Sequence, residues 1–125
     1  MITTHNEPLQ YQTTFTNGTH SALADTTEDK GGHNSGFRPH ELLEAALASC
    51  INMHVRMYAQ HHNVPLEKIQ TIVSLDRSNP AQVVFNYSIE LSGSLSPEQK
   101  EKLHHIAKTC PVHQTLSKAI LIREG

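Results

Sequence analysis

Cys50 and Cys110 are the only cysteines in a chain of 125 residues that also carries ten histidines. A cysteine can serve as a nucleophile, a redox group or a metal ligand, or simply as a small buried hydrophobe. Cys50 stands in the apolar run ALASCINM. Cys110 follows Leu103, Ile106 and Ala107 at helical spacing and directly precedes Pro111. Taken singly, each reads as core; taken together, they lie on the inward faces of two helices, which permits them to meet. A thiol attacks only as the thiolate. Cys50 lies about three turns into its helix, beyond the reach of the macrodipole, and burial among Ala46, Leu47 and Met53 opposes a charge. A reactive Cys50 therefore requires a nearby cation or donor. His54 is one turn on, on the same face, whereas Arg56 is rotated away. Arg38, twelve residues back, is about 18 Å distant at 1.5 Å per residue; it is too far within one chain but available to the other chain of a dimer.

A metal site is the rival reading. Cys50-x3-His54 and Cys110-x2-His113 offer two pairs of ligands, and Cys2His2 is a common zinc set. Neither pair sits in a Gly-rich knuckle, and ten scattered histidines make chance pairings frequent. The remaining histidines, at 5, 20, 33, 40, 61, 62, 104 and 105, fall mostly in polar stretches and read as solvated side chains.

Composition narrows the classes. The length suits a single domain, residues 1–125, with a core of Leu, Ile, Val, Ala and Met, because aromatics are 5% and tryptophan is absent. The net charge is −2, with acids and bases interleaved. No basic block or aromatic-basic alternation points to nucleic acid. No apolar run approaches the roughly 18 residues of a membrane span, and MITTHNEPLQ has neither the basic start nor the apolar stretch of a signal peptide. The expectation is a cytoplasmic protein, where a permanent structural disulfide is unusual.

The elements that position the cysteines follow from periodicity. Leu9–Thr16 reads as a strand, and Asn17-Gly18 as a type I′ hairpin turn, with Thr19–Ala24 returning. Residues 25–36 form a polar, mobile loop. Pro39 opens a helix that runs to about His62. Between Leu42 and Ala48 only Glu44 is polar, so this helix is apolar nearly all round, which an internal position in a dimer would explain. Ile69–Arg77 and Val83–Leu91 read as strands; in the latter, Val83, Phe85, Tyr87, Ile89 and Leu91 point one way and Asn86, Ser88 and Glu90 the other. Ser96-Pro97-Glu98-Gln99 is a helix start with a capping box. Lys118–Arg123 reads as a closing strand or tail. The order β-β-α-β-β-α-β makes an α+β domain with a largely antiparallel sheet.

The stretch PHELLEAALASC, followed sixty residues after its cysteine by CPVHQTL, closely resembles the OsmC/Ohr family. In that family a proline opens a central helix, Glu-Leu-Leu and Ala-Leu-Ala follow, and the reactive cysteine ends the pattern. A second cysteine comes near the C-terminus in a Cys-Pro-Val setting. The likeness covers nearly the whole chain. It implies an OsmC-like α+β fold with antiparallel sheets wrapped around long central helices in an intertwined homodimer. It also implies a thiol-dependent peroxidase without cofactor or metal. Cys50 would be oxidised to a sulfenic acid by an organic hydroperoxide and resolved by Cys110 as a disulfide, which an external dithiol reduces. Family peroxidases hold the thiolate with an N-terminal arginine paired to a glutamate at the helix start. Met1–Phe37 contains no arginine, His40 follows the proline where the Ohr branch has its glutamate, and Glu41 matches the wider family's Glu-Leu-Leu. The cysteines carry over directly; the activating pair does not, leaving Arg38 with Glu41, or a histidine, as candidates for that role. The alternatives are a non-catalytic dimer of the same family binding a small apolar ligand, and the zinc protein.

Overall fold

The computed structural model describes residues 1–125. In chain order it contains β1 (Thr3–Asn6), β2 (Thr13–Thr16), β3 (Ser21–Ala24), α1 (Pro39–His61), β4 (Leu66–Asp76), β5 (Val84–Gly93), α2 (Pro97–Ala107) and α3 (Pro111–Leu116). The chain divides into two compact units, Met1–Leu43 and Glu44–Gly125, with the boundary inside α1.

In the first unit, β1, β2 and β3 form an antiparallel sheet in that order. β1 was not expected, since TTHN is polar throughout and shows no alternation. Leu9–Tyr11 is a turn, so β2 is shorter than the pattern suggested. The β2–β3 connection is not a two-residue type I′ turn: Thr16 pairs with Ser21, leaving four loop residues. Oδ1 of Asn17 accepts the amides of Thr19 at 2.9 Å and His20 at 2.7 Å. Gly18 supplies the one positive φ, 96°. An Asx turn has thus displaced the primed turn. Residues 25–36 contain a 3-10 turn at Glu28–Lys30 and are organised by the Asp25 carboxylate, which is 3% exposed. It accepts the backbone N–H groups of Thr26 (2.7 Å), His33 (3.2 Å) and Ser35 (3.0 Å). Those three bonds hold Asp25 below the ordinary carboxylate value.

In the second unit, β4 and β5 form an antiparallel ribbon, with Val73 opposite Tyr87 and Thr71 opposite Ile89. Phe85, Tyr87, Ile89 and Leu91 face inward and Asn86, Ser88 and Glu90 outward, as the alternation requires. Val83 is the exception, lying exposed just ahead of the strand. α1 contributes Leu47, Ile51, Val55 and Ala59, a stripe at strict i, i+4 spacing, which packs with Ile89, Leu103, Ala107 and Cys110. Each large side chain so buried contributes roughly 1.5–3 kcal/mol. The opposite side of α1 stays open in the single chain, with Met53 49% and Met57 58% exposed.

α2 begins as expected: the Ser96 hydroxyl accepts the Gln99 amide at 3.1 Å, and the Gln99 side chain accepts the Ser96 amide at 2.9 Å. It ends at Ala107, however, so Cys110 is not on its face. Cys110 is extended (φ −64°, ψ 143°) and forms the N-cap of α3, because Pro111 bars the preceding residue from the helical region. Lys118–Arg123 forms no strand and lies exposed. The observed order is therefore β-β-β-α-β-β-α-α, an α+β fold with antiparallel sheets.

Candidate functional site: two thiols at one helix start

Cys50 and Cys110 are both free thiols, Cys50 half-buried and Cys110 fully buried. Cys50 precedes Ile51 of the buried stripe, so its side chain lies at the edge of the core. Cys110 joins it because the break before Pro111 turns the chain back towards α1. Two consecutive amides of α3 serve the two sulfurs. The Val112 N–H donates to Sγ of Cys50 at 3.5 Å, and the His113 N–H donates to Sγ of Cys110 at 3.2 Å. Burial pushes the Cys110 thiol above its ordinary value of 9.0, and the Cys50 sulfur pushes the same way. The amides of His113 and Val112 act in the opposite sense without prevailing.

An apolar cavity of 240 Å³ is lined by Leu47, Phe85, Tyr87, His113 and Leu116, among others. Burial, and secondarily Cys110, raise the Tyr87 phenol above its ordinary value. The Tyr87 ring meets the His113 imidazole edge-on, with centroids 5.9 Å apart. Tyr87 was not singled out from the sequence as a site residue, although its inward place on β5 was legible and marks it as a neighbour of the core.

The remaining candidates are placed differently. Nε2 of His54 bonds the Thr109 hydroxyl at 2.8 Å, and Arg56 lies exposed. Arg38 and Glu41, both in the first unit, pair with one another: Nε to Oε1 is 3.3 Å, and the same oxygen accepts the Arg38 amide at 2.9 Å. The Arg38 amide first, and then its guanidinium, hold Glu41 below the ordinary carboxylate value. Local geometry makes this pair a cap for the start of α1. The Cys2His2 arrangement is not assembled: no group of three or more His, Cys, Asp or Glu side chains is placed to hold a metal ion. No helix is long and apolar enough to cross a membrane.

Fold and thiols together define a class of α+β proteins in which a long helix presents one cysteine to a second cysteine held at a later helix start. Residues 32–124 match the OsmC-like protein family, and the chain belongs to that family. Three solved structures share the fold. The OsmC-like protein of Mycoplasma pneumoniae has a TM-score of 0.78 at 22% identity, over 93% of this chain and 85% of that one. The organic hydroperoxide resistance protein OsmC of Legionella pneumophila has a TM-score of 0.67 at 20% identity, over 94% and 88%. The organic hydroperoxide resistance protein OhrB of Bacillus subtilis has a TM-score of 0.65 at 18% identity, over 94% and 89%. No curated protein sequence matches the chain.

Proposed function

We propose that the chain is a thiol-dependent peroxidase for organic hydroperoxides, with Cys50 as the peroxidatic thiol and Cys110 as the resolving one. The observation that carries the reading is that two reduced cysteines meet at one helix start, where consecutive backbone N–H groups donate to their two sulfurs. The Cys50 thiolate attacks the terminal oxygen of ROOH, the O–O bond breaks, and the alkoxide leaves as the alcohol after taking a proton. Cys50 is then a sulfenic acid. The Cys110 sulfur displaces its hydroxyl as water, giving the disulfide, and an external dithiol returns both thiols at the cost of its own oxidation. In place of the family's arginine, the donor aimed at the Cys50 sulfur is the Val112 N–H. Arg38 and Glu41 are assigned a supporting role at the start of α1. The cavity beside Leu47, Phe85 and Tyr87 suits the alkyl group of the peroxide. The names of the Legionella and Bacillus structures favour the same chemistry.

The working form in this reading is a cytoplasmic homodimer, in which the second copy covers Met53 and Met57 on the open side of α1. The test is the mass and free-thiol count before and after one equivalent of cumene hydroperoxide. Loss of two hydrogens and both thiols, reversed by dithiothreitol and absent in Cys50→Ser, is the expected result. Two unreacted thiols would overturn it and favour a dimer that binds a small apolar ligand.

A further inference from the structure

Peroxide chemistry with a resolving thiol depends on how fast Cys110 reaches Cys50 after the first step, since an unresolved sulfenic acid is open to further oxidation. The two sulfurs are carried by segments sixty residues apart in sequence, and, besides the Val112 amide on Cys50, a hydrogen bond between two side chains ties these segments together. His54, one helical turn after Cys50 on α1, bonds through Nε2 to Oγ1 of Thr109, the residue immediately before Cys110, at 2.8 Å.

The direction of this bond follows from counting protons. The Thr109 hydroxyl has one hydrogen, and it is donated to the Ile106 carbonyl at 2.8 Å. The oxygen can therefore only accept from the imidazole, which fixes His54 with its proton on Nε2. The Ile106 carbonyl belongs to the last turn of α2, so the chain His54–Thr109–Ile106 fastens α1 to the point where α2 ends. Beyond that point the backbone leaves the helix at Cys110. The amides of Lys108, Thr109 and Cys110 are held by tight turns to the carbonyls of His105, Ile106 and Ala107, the last a long bond of 3.4 Å, and His54 adds an anchor from α1 one residue from the thiol.

Resting on the peroxidase reading, we propose that His54 is a positioning residue for resolution: by donating to Thr109 it sets Cys110 against Cys50, and it takes no part in the attack on the peroxide. The reaction it serves is condensation of the Cys50 sulfenic acid with the Cys110 thiol, which forms the S–S bond and releases water.

The test compares wild type with His54→Ala, His54→Gln and Thr109→Val. Gln retains an N–H at the reach of Nε2, and Val retains the shape of Thr109 without its acceptor. Two readouts are followed in each. One is the partition of Cys50 between disulfide and sulfinic acid, by mass, under cumene hydroperoxide. The other is the rate of intramolecular disulfide closure driven by diamide, an azo oxidant that a first thiolate adds to and a second displaces, so that closure needs no peroxidase activity. His54→Ala and Thr109→Val are expected to slow closure roughly tenfold or more, as small misplacements of reacting groups do. They should shift the partition towards sulfinic acid while the loss of the first equivalent of peroxide keeps its rate. His54→Gln should restore both readouts. Equal closure rates in all four proteins would overturn the proposal, and so would a loss of first-step rate in His54→Ala that Gln fails to rescue. If wild type closes with diamide in a His54-dependent way but ignores peroxide, the peroxidase reading fails and the positioning role stands.

Discussion

The amide of Val112 donates to Sγ of Cys50 across sixty-two residues of sequence, at 3.5 Å. With the neighbouring His113 amide on Cys110, it makes the start of α3 the common support of both sulfurs. The roles proposed for the two thiols then differ in a measurable way. Cys50→Ser is expected to abolish peroxide consumption, by at least about a hundredfold, because it removes the nucleophile. Cys110→Ser is expected to consume the first equivalent at near wild-type rate. Cys50 should then carry one oxygen as the sulfenic acid and gain a second from a further equivalent of peroxide, instead of forming a disulfide. Stopped-flow peroxide consumption combined with intact-protein mass spectrometry separates the two.

Alkaline stability follows from the burial of Cys110. Its thiol is raised above 9.0, so the folded protein keeps a proton that the unfolded chain releases. The stabilising contribution is complete below pH 9.0 and is lost as pH rises through the folded value. Thermal midpoints should fall between pH 8 and the most alkaline conditions tolerated, and Cys110→Ala should fall less steeply. Tyr87 is raised as well and acts in the same direction, so the slope of that variant should diminish without vanishing.

At the acid end the group to watch is Asp25. Its folded value is depressed below 3.8, mainly by the Ser35 amide. The stability it lends is present above pH 3.8 and is lost as pH falls through the folded value. Asp25→Asn should lower stability at neutral pH and flatten the acid limb of a melting-temperature profile. An unchanged acid limb would show that the loop does not depend on the ionised carboxylate.

The core makes a simpler prediction. Ile51 is fully buried, and truncating such a residue leaves a cavity, so Ile51→Ala should cost about 2–5 kcal/mol in urea unfolding. Met57→Ala, on the open side of α1, should cost far less in the isolated chain. A large loss there, dependent on protein concentration, would mark Met57 as covered by a second copy.

Much of this arrangement could be read from residue spacing. The helix opened by Pro39, the alternation through β5 and the Ser96–Gln99 box are local signals, and the structure follows each of them. The failures arose where two local rules compete. Leu103, Ile106, Ala107 and Cys110 keep perfect helical spacing, yet Pro111 excludes its predecessor from the helix, and the steric rule prevailed. At Asn17-Gly18 the side-chain amide captured the backbone and lengthened the turn. β1 carries no pattern because all four of its residues are exposed. At the site, the family motif located both cysteines. The Val112 and His113 amides are backbone groups that no side-chain motif encodes, and the tie from His54 to Thr109 joins positions fifty-five residues apart.

The break at Cys110 has a consequence for how the two thiols stand to one another. Had α2 run on without interruption, the amides of residues 112 and 113 would have been claimed by carbonyls one turn earlier. Interrupting the helix releases them towards sulfur. Because the released donors are adjacent, one serves each sulfur, while burial, with the Cys50 sulfur adding to it, raises the Cys110 thiol. Cys110 therefore keeps its hydrogen to a higher pH than an ordinary thiol. The interrupted helix thus sets two chemically identical groups on unequal footing, one half-buried at the edge of the core and the other sealed within it.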